Sequence, residues 1–322
     1  MADYQHTSVL KDEIVSFLKP GKNQHFVDAT LGGAGHSQAI LEKNGPAGKV
    51  LAFELDERAI AAAKTRLKKY QNRVVIVERS YVHLKEEINK NRKYFPEISG
   101  VVFDLGLSLD QLINSNRGFS FNDDGLLDMR FAARGQNLTA SDIILTWSER
   151  DLLKIFTEYG EVKQAQRLAR GLVSWRAEIK QKQKKLKTSM LVSAILRILK
   201  ISEGSLKKYR IHPATQIFQA LRIAVNGELD NLRQTLPQAF SVLKPGGRLA
   251  VISFHSLEDR IVKNYFKDLL GNCKCPPDLP VCVCGHQPLA KLVTKKPMRP
   301  TPAEIKANPR SRSAILRVIE KL

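Results

Sequence analysis

Four short apolar runs, "HFVDAT" (25–30), "KVLAFEL" (49–55), "RVVIVERS" (73–80) and "ISGVVFDLG" (98–106), alternate with stretches of helical pattern. Between them lie "SQAILEKN" (37–44), which stops at Gly45-Pro46, and the amphipathic "DERAIAAAKTRLKKY" (56–70). Such alternation means βα units on a parallel sheet, because each crossover between parallel strands has to return along a covering helix. The alternation then breaks. Residues 107–137 are loop-like and rich in Asn, Asp, Gly and Ser, and residues 140–211 carry helical pattern alone, over 142–147, 149–159, 161–179 and 189–200. Ser148 with Asp151 predicts a capping box, and Gly160 stands at a helix C-cap position. From 212 the α/β pattern resumes with "TQIFQALRIAVNGELDNLRQTLPQAFSVL", expected to be helical and broken near Pro237. "KPGGRLAVISF" then turns into a strand, and "SAILRVIE" (313–320) supplies a last one. The expected architecture is one α/β domain (1–112 and 212–322) interrupted by an inserted α-helical domain (113–211).

Charge points to a partner. Lys and Arg number 52 against 32 Asp and Glu, a net +20, and the excess is concentrated. Residues 160–211 hold 14 basic against 3 acidic side chains, and residues 288–317 hold 8 against 1. Two basic zones of this density suggest a polyanion, with nucleic acid as the expected class. No apolar run approaches the roughly 20 residues of a membrane span. The opening "MADYQHTSVLKDE" lacks the pattern of a secretion signal. A cytoplasmic protein with no membrane partner is expected.

The first strand ends in Asp28 and is followed by Gly32, Gly33 and Gly35; about twenty residues on, the second strand ends in Glu54. A carboxylate there can take both ribose hydroxyls of an adenosine while the glycines let backbone approach the ligand. The third glycine of a dinucleotide fingerprint is missing, since His36 and Ser37 follow Gly35, and the Lys-Ser/Thr of a phosphate loop is absent. S-adenosylmethionine therefore suits the loop better than NAD. The fourth strand ends at Asp104, and "AVISFHSLEDR" (250–260) ends a strand in Phe254 and His255. Ligands in open α/β sheets sit beyond the carboxyl ends of the strands, so Asp28, Glu54, Asp104 and the Phe254-His255 pair should border one crevice. A hydrolytic reading of "FHSLEDR" is weak, because Ser256 lacks the Gly-x-Ser-x-Gly elbow. Ser256 and Asp259 instead form a capping pattern expected to open a helix over 257–270.

Six stretches in order, "VDATLGGAGHS", "DLGLSLDQL", "RGFSFNDDGLLDMR", "HPATQIFQALRIAVNGEL", "AVISFHSLEDRIVK" and "RPTPAEIKANPRSRSAILR", resemble the bacterial ribosomal RNA small subunit methyltransferase H family, also called MraW. The resemblance implies a class I, Rossmann-like, S-adenosylmethionine-dependent methyltransferase fold with an inserted helical domain. It implies methylation of the N4 amine of a cytidine in the decoding region of 16S rRNA, with the small ribosomal subunit as partner and no role on DNA. It further implies cofactor contacts at Ala34, Gly35, His36, Glu54, Tyr81, Asp104 and Gln111. Leu109 stands where the family carries a second serine, Ser8 where it carries proline, and Leu126 where proline often follows Asp-Gly.

For the chemistry, Asp104 is the candidate acceptor for an N–H of the cytosine amine, and Phe254 and His255 are candidates for a base pocket. The loop 117–130 offers Phe119 and Phe121 either to the substrate or to a core. The lysine run "KQKQKKLK" (180–187), with Arg167, Arg170 and Arg176, is the candidate contact with RNA backbone, and "NPRSRS" (308–313) is a second basic stretch. Cys273, Cys275, Cys282 and Cys284, spaced C-x-C-x6-C-x-C, have the donors for a structural zinc, although C-x-x-C pairs are the commoner spacing. A non-catalytic RNA-binding or ribosome-assembly factor on the same scaffold is the alternative in another class.

Overall fold

The computed structural model describes residues 7–113, 116–121, 124–132, 135–181, 185–209, 211–271 and 287–322. The chain divides into two compact units, one of residues 1–106 with 229–322 and one of residues 107–228.

The first unit is built on a seven-stranded sheet in the order β3-β2-β1-β4-β5-β7-β6. Its strands are β1 (Phe26–Asp28), β2 (Val50–Phe53), β3 (Val74–Val77), β4 (Ile98–Asp104), β5 (Leu243–Ser253), β6 (Ala290–Leu292) and β7 (Ile315–Lys321). β1 to β5 pair in parallel, whereas β7 runs antiparallel between β5 and β6. This is the Rossmann-like class I architecture expected. β6 has no counterpart among the expected strands, because its three residues are too few to show a period.

Alternate side chains leave opposite faces of a strand, and here both faces are covered. Val27, Leu51, Val101, Phe103 and Val251 enter one apolar layer with Leu84, Ile88, Leu232, Leu236, Val262 and Phe266. Phe26, Val50, Ala52, Val102 and Ile252 enter the other with Ile14, Leu18, Ile40 and Ala63. The helices Leu84–Lys90, Glu228–Val242 and Ser256–Leu269 supply the first layer, and Lys11–Leu18, Gly35–Lys43 and Glu57–Arg66 the second. Chain order runs outward from β1 to β3 and then returns to β4, so the neighbouring ends of β1 and β4 form the topological switch point at which such sheets bind ligands.

The second unit is helical: Ala140–Thr146, Glu149–Glu158, Ala165–Gln181, Thr188–Leu199 and Ala214–Asn226 surround a core that includes Ile143, Phe156, Leu168, Leu172, Ile195, Ile217 and Leu221. The expected cap at Ser148 is present, its Oγ accepting from Asp151 N at 3.1 Å. The third helix starts later than expected because Glu161 takes a left-handed φ of 49°. Gly160 does not adopt that conformation. It leaves room, since a Cβ there would lie 2.9 Å from the carbonyls of Phe156 and Gln216.

Three boundaries differ from expectation. The helical unit starts at Leu107 rather than 113. The helical unit extends to Glu228 rather than 211, because Ala214, Ile217, Phe218 and Leu221 bury their side chains in its core. The helical stretch from 214 breaks at Gly227 (φ 61°), not at Pro237, which lies inside the helix Glu228–Val242. Leu236 and Ala239, buried on the sheet, carry that helix past the proline. No helix among the described residues is long and apolar enough to cross a membrane.

Candidate active site

The carboxyl ends of β2, β1, β4 and β5 lie side by side; β1 and β4 end in Asp28 and Asp104, and Glu54 and Phe254 directly follow β2 and β5. Between β1 and its following helix the chain must turn within a few residues. Ala34 takes a left-handed φ of 62° to do so, and the helix Gly35–Lys43 begins directly after it. Glu54 fastens this turn to β2: Oε2 accepts from Gly32 N at 2.8 Å, while Oε1 accepts from Leu55 N at 2.8 Å and Asp56 N at 2.9 Å. A carboxylate offers about four acceptor positions, so Glu54 keeps capacity for a further donor. Burial pushes its pKa up, against the opposing pull of these backbone donors. Arg66 Nη1 donates to Gly33 O at 2.5 Å from the helix Glu57–Arg66.

Asp28 is wholly buried; its Oδ2 accepts from Ser37 Oγ at 2.7 Å and its Oδ1 from Thr30 N at 3.2 Å. It therefore ties the two ends of the glycine turn together, and burial raises its pKa. Thr30 Oγ1 accepts from Asp104 N at 2.6 Å, which joins the turn to the end of β4.

His36 and Asp104 meet at this switch point. His36 Nε2 stands 3.3 Å from Asp104 Oδ2, with side-chain exposures of 3% and 11%. The pair is close but badly aligned: among the described residues neither ring nitrogen of His36 has a hydrogen-bond partner of good geometry, and Asp104 Oδ1 has none. Burial alone would lower the His36 pKa. Asp104 and, more weakly, Asp28 outweigh it, leaving the value above that of a free imidazole.

Tyr81 opens a short 3-10 turn after β3 and meets Phe103 edge-on at 5.7 Å between centroids. Gln111 belongs to the helical unit, in the helix Leu109–Ile113, where Ser108 Oγ accepts from Gln111 N at 3.2 Å and Gln111 Oε1 accepts from Ser108 N at 3.1 Å.

At the end of β5 the cap differs from the one expected. His255, not Ser256, is the N-cap of the helix Ser256–Leu269, and Glu258 rather than Asp259 completes the box. Glu258 Oε2 accepts from Phe254 N at 2.8 Å and His255 N at 3.4 Å, and Oε1 lies 3.2 Å from His255 Nε2. The His255 ring is thus folded over its own helix start, and the carboxylate that holds it was missed because histidine is an unusual cap. Asp259 turns away to a bidentate pair with Arg317 on β7, at 2.7 and 2.9 Å.

The remaining candidates divide. Within the helical unit Phe119 is buried in the core, and Phe121 stacks on His212 at 4.7 Å and meets Phe218 edge-on, so both loop aromatics serve packing. Arg176 donates to Trp147 O, while Arg167 and Arg170 are exposed. Lys187 pairs with Asp124 at 3.0 Å, Lys185 is exposed, and residues 182–184 lie outside the described residues. Cys273, Cys275, Cys282 and Cys284 also lie outside them. Residues 309–313 form a 3-10 turn with Ser311 buried, leading the chain into β7.

The sequence model of the MraW methylase family matches residues 3–322. Over 326 residues the chain is 45% identical to a ribosomal RNA small subunit methyltransferase H from Citrifermentans bemidjiense, covering 100% of both chains. It is 44% identical to the protein of that name from Thermomicrobium roseum, covering 98% of this chain and 94% of the other. A Clostridioides difficile protein of the same name is 42% identical over 99% of this chain and 100% of its own.

Proposed function

The chain belongs to the MraW methylase family, and from that premise we propose that it methylates the N4 amine of a cytidine in small-subunit ribosomal RNA, using S-adenosylmethionine. The 16S decoding region of the small subunit is its proposed site of action, which places the reaction in the cytoplasm.

The residues present fit that cofactor. Glu54 keeps acceptor capacity at the end of β2, where ribose hydroxyls would reach it, and the glycine turn with Ala34, Gly35 and His36 presents backbone beside it. Tyr81, braced on Phe103, would flank the adenine. The cofactor supplies an electrophilic methyl group on a sulfonium. Asp104 and Asp28 place carboxyl groups at the switch point, which favours a cationic ligand there.

Cytosine N4 is a poor nucleophile because its lone pair is delocalised into the ring. Making it attack requires holding it in line and accepting one of its N–H bonds, so that the nitrogen can become tetrahedral as it takes the methyl and sheds a proton. Asp104 carries the proposal. Its Oδ2 is turned toward His36, while its Oδ1 is buried with no partner among the described residues. Phe254 and His255, fixed by Glu258, would form one wall for the extruded base. Exposed Arg167, Arg170 and Lys185 would bind phosphates and so set register rather than sequence.

The test is transfer of labelled methyl from S-adenosylmethionine to small subunits lacking the modification, with nucleoside mass spectrometry of the product. N4-methylcytidine is expected. Bound cofactor and bound subunit without transfer would instead favour a non-catalytic assembly factor.

A further inference from the structure

The stretch "RPTPAEIKANPRSRSAILR" has no part in the chemistry above, yet one of its side chains reaches the other end of the chain. Thr301 caps the helix Pro302–Ala307. From that helix Glu304 Oε1 accepts the backbone N–H of Leu10 at 2.8 Å, across 294 positions of sequence. Leu10 is fully buried and holds a left-handed φ of 52°. A residue with a Cβ keeps that conformation only where its surroundings hold it. Just before it, Ser8 lies over the glycine turn so closely that a Cβ added at Gly35 would collide with its side chain.

The turn is thus braced at three points: Gly32 by Glu54, Gly33 by Arg66 and Gly35 by Ser8. The first two braces come from β2 and from the helix after it. The third depends on a short segment whose backbone is secured by a residue near the other end of the chain.

We infer that Glu304 is a positioning residue for the cofactor turn, holding Leu10 in its left-handed conformation and thereby Ser8 against Gly35. The inference rests on the cofactor reading given above. Without Glu304 the N–H of Leu10 loses its acceptor, residues 7–10 lift, and the turn spends less time in its binding form. An affinity falls by the inverse of the competent fraction, so losing one hydrogen bond to a carboxylate should weaken cofactor binding about tenfold. The chemical step, once the cofactor is bound, has no reason to change.

The full-length chain is tested as Glu304→Ala and Glu304→Gln, measuring the S-adenosylmethionine Kd, kcat at saturating cofactor, Tm and amide exchange at Leu10 and Gly33–Gly35. Expected for the alanine variant are a Kd raised about tenfold, kcat within about twofold of wild type, and faster exchange confined to those amides. The glutamine variant, which keeps an acceptor oxygen, should stay near wild type. An unchanged Kd in Glu304→Ala would overturn the inference. So would equal impairment of both variants with a general loss of Tm, since that is the behaviour of a merely structural side chain. If Glu304→Ala does not fold, Ser8→Gly empties the contact over Gly35 directly, and an unaltered Kd there overturns the inference as well. A wild-type chain that binds no cofactor would refute the cofactor reading instead, while amide exchange at Gly33–Gly35 would still report on the brace.

Discussion

Replacing Asp104 by asparagine keeps the shape of the side chain and removes its charge, which separates two contributions of different size. In the folded protein the Asp104 carboxylate is the main influence holding the His36 pKa up against burial. Stranding a buried charge costs about 3–5 kcal/mol, but His36 can avoid that by releasing its proton, at about 1.4 kcal/mol per pH unit. The stability loss is therefore limited to about 1–3 kcal/mol, the scale of a buried polar group that no longer has the favourable charge beside it. At about 2–4 °C per kcal/mol for a unit of this size, the variant remains folded at assay temperature. If Asp104 accepts the N–H of the reacting amine, turnover falls about 10²–10⁴-fold. That is about 3–5 kcal/mol in the barrier, beyond what the stability loss could mimic in a folded sample.

The assays are single-turnover methyl transfer at saturating cofactor and an NMR titration of His36. Because its folded pKa is raised, the wild-type pair contributes stability that is fully present below the unfolded value of 6.5 and is lost as pH rises through the folded value. That alkaline decline should vanish in Asp104→Asn, and the His36 pKa should drop. A turnover rate within about threefold of wild type would refute Asp104 as acceptor, since even a modest general-base contribution is larger. A His36 pKa that does not move would refute the electrostatic account.

Four other outcomes follow from the same geometry. Arg317→Met should lower stability by about 1–3 kcal/mol, seen as a lower Tm, because it strands Asp259, whose side chain is 16% exposed. Ser8→Ala should be neutral or stabilising by up to about 1 kcal/mol, since Ser8 Oγ is buried with no partner among the described residues; a clear loss in denaturant melts would mean that the hydroxyl has a partner. Gly227→Ala should cost about 1–2 kcal/mol in the same assay, because alanine must take a φ of 61° between two helices. Glu54→Gln should weaken cofactor binding in calorimetry by about tenfold or more, as an amide cannot accept from Gly32, Leu55 and Asp56 together through two oxygens.

The parts of this fold legible in sequence are those set by local periodicity. The apolar runs ending in Asp28, Glu54 and Asp104 announced both the parallel strands and the rim they share. Punctuation was less secure. Proline at 237 looked like the break, but buried neighbours outweighed its local preference, and Gly227 made the reversal instead. Ser256 looked like the cap, yet the chain used His255, whose ring is held by Glu258. Pairings between distant residues left no trace at all: no pattern joins Glu304 to Leu10, Arg317 to Asp259 or Arg66 to Gly33. Each is fixed only when packing brings their elements together. The glycine turn could thus be found from sequence, whereas the side chains that hold it in shape could not.

The placement of β5 beside β4 has a consequence in time. β4 ends at Asp104 and β5 starts at Leu243, with the helical unit between them. At synthesis rates of roughly 5–20 residues per second, β5 emerges about 7–30 s after β4. Helical units rich in local contacts fold in milliseconds or less, so residues 107–228 can settle while the sheet is still half made. Through that interval β4, with Val101, Val102 and Phe103 destined for burial, presents an unpaired edge. The nascent chain is most exposed to misassociation then, at the edge that later carries Asp104.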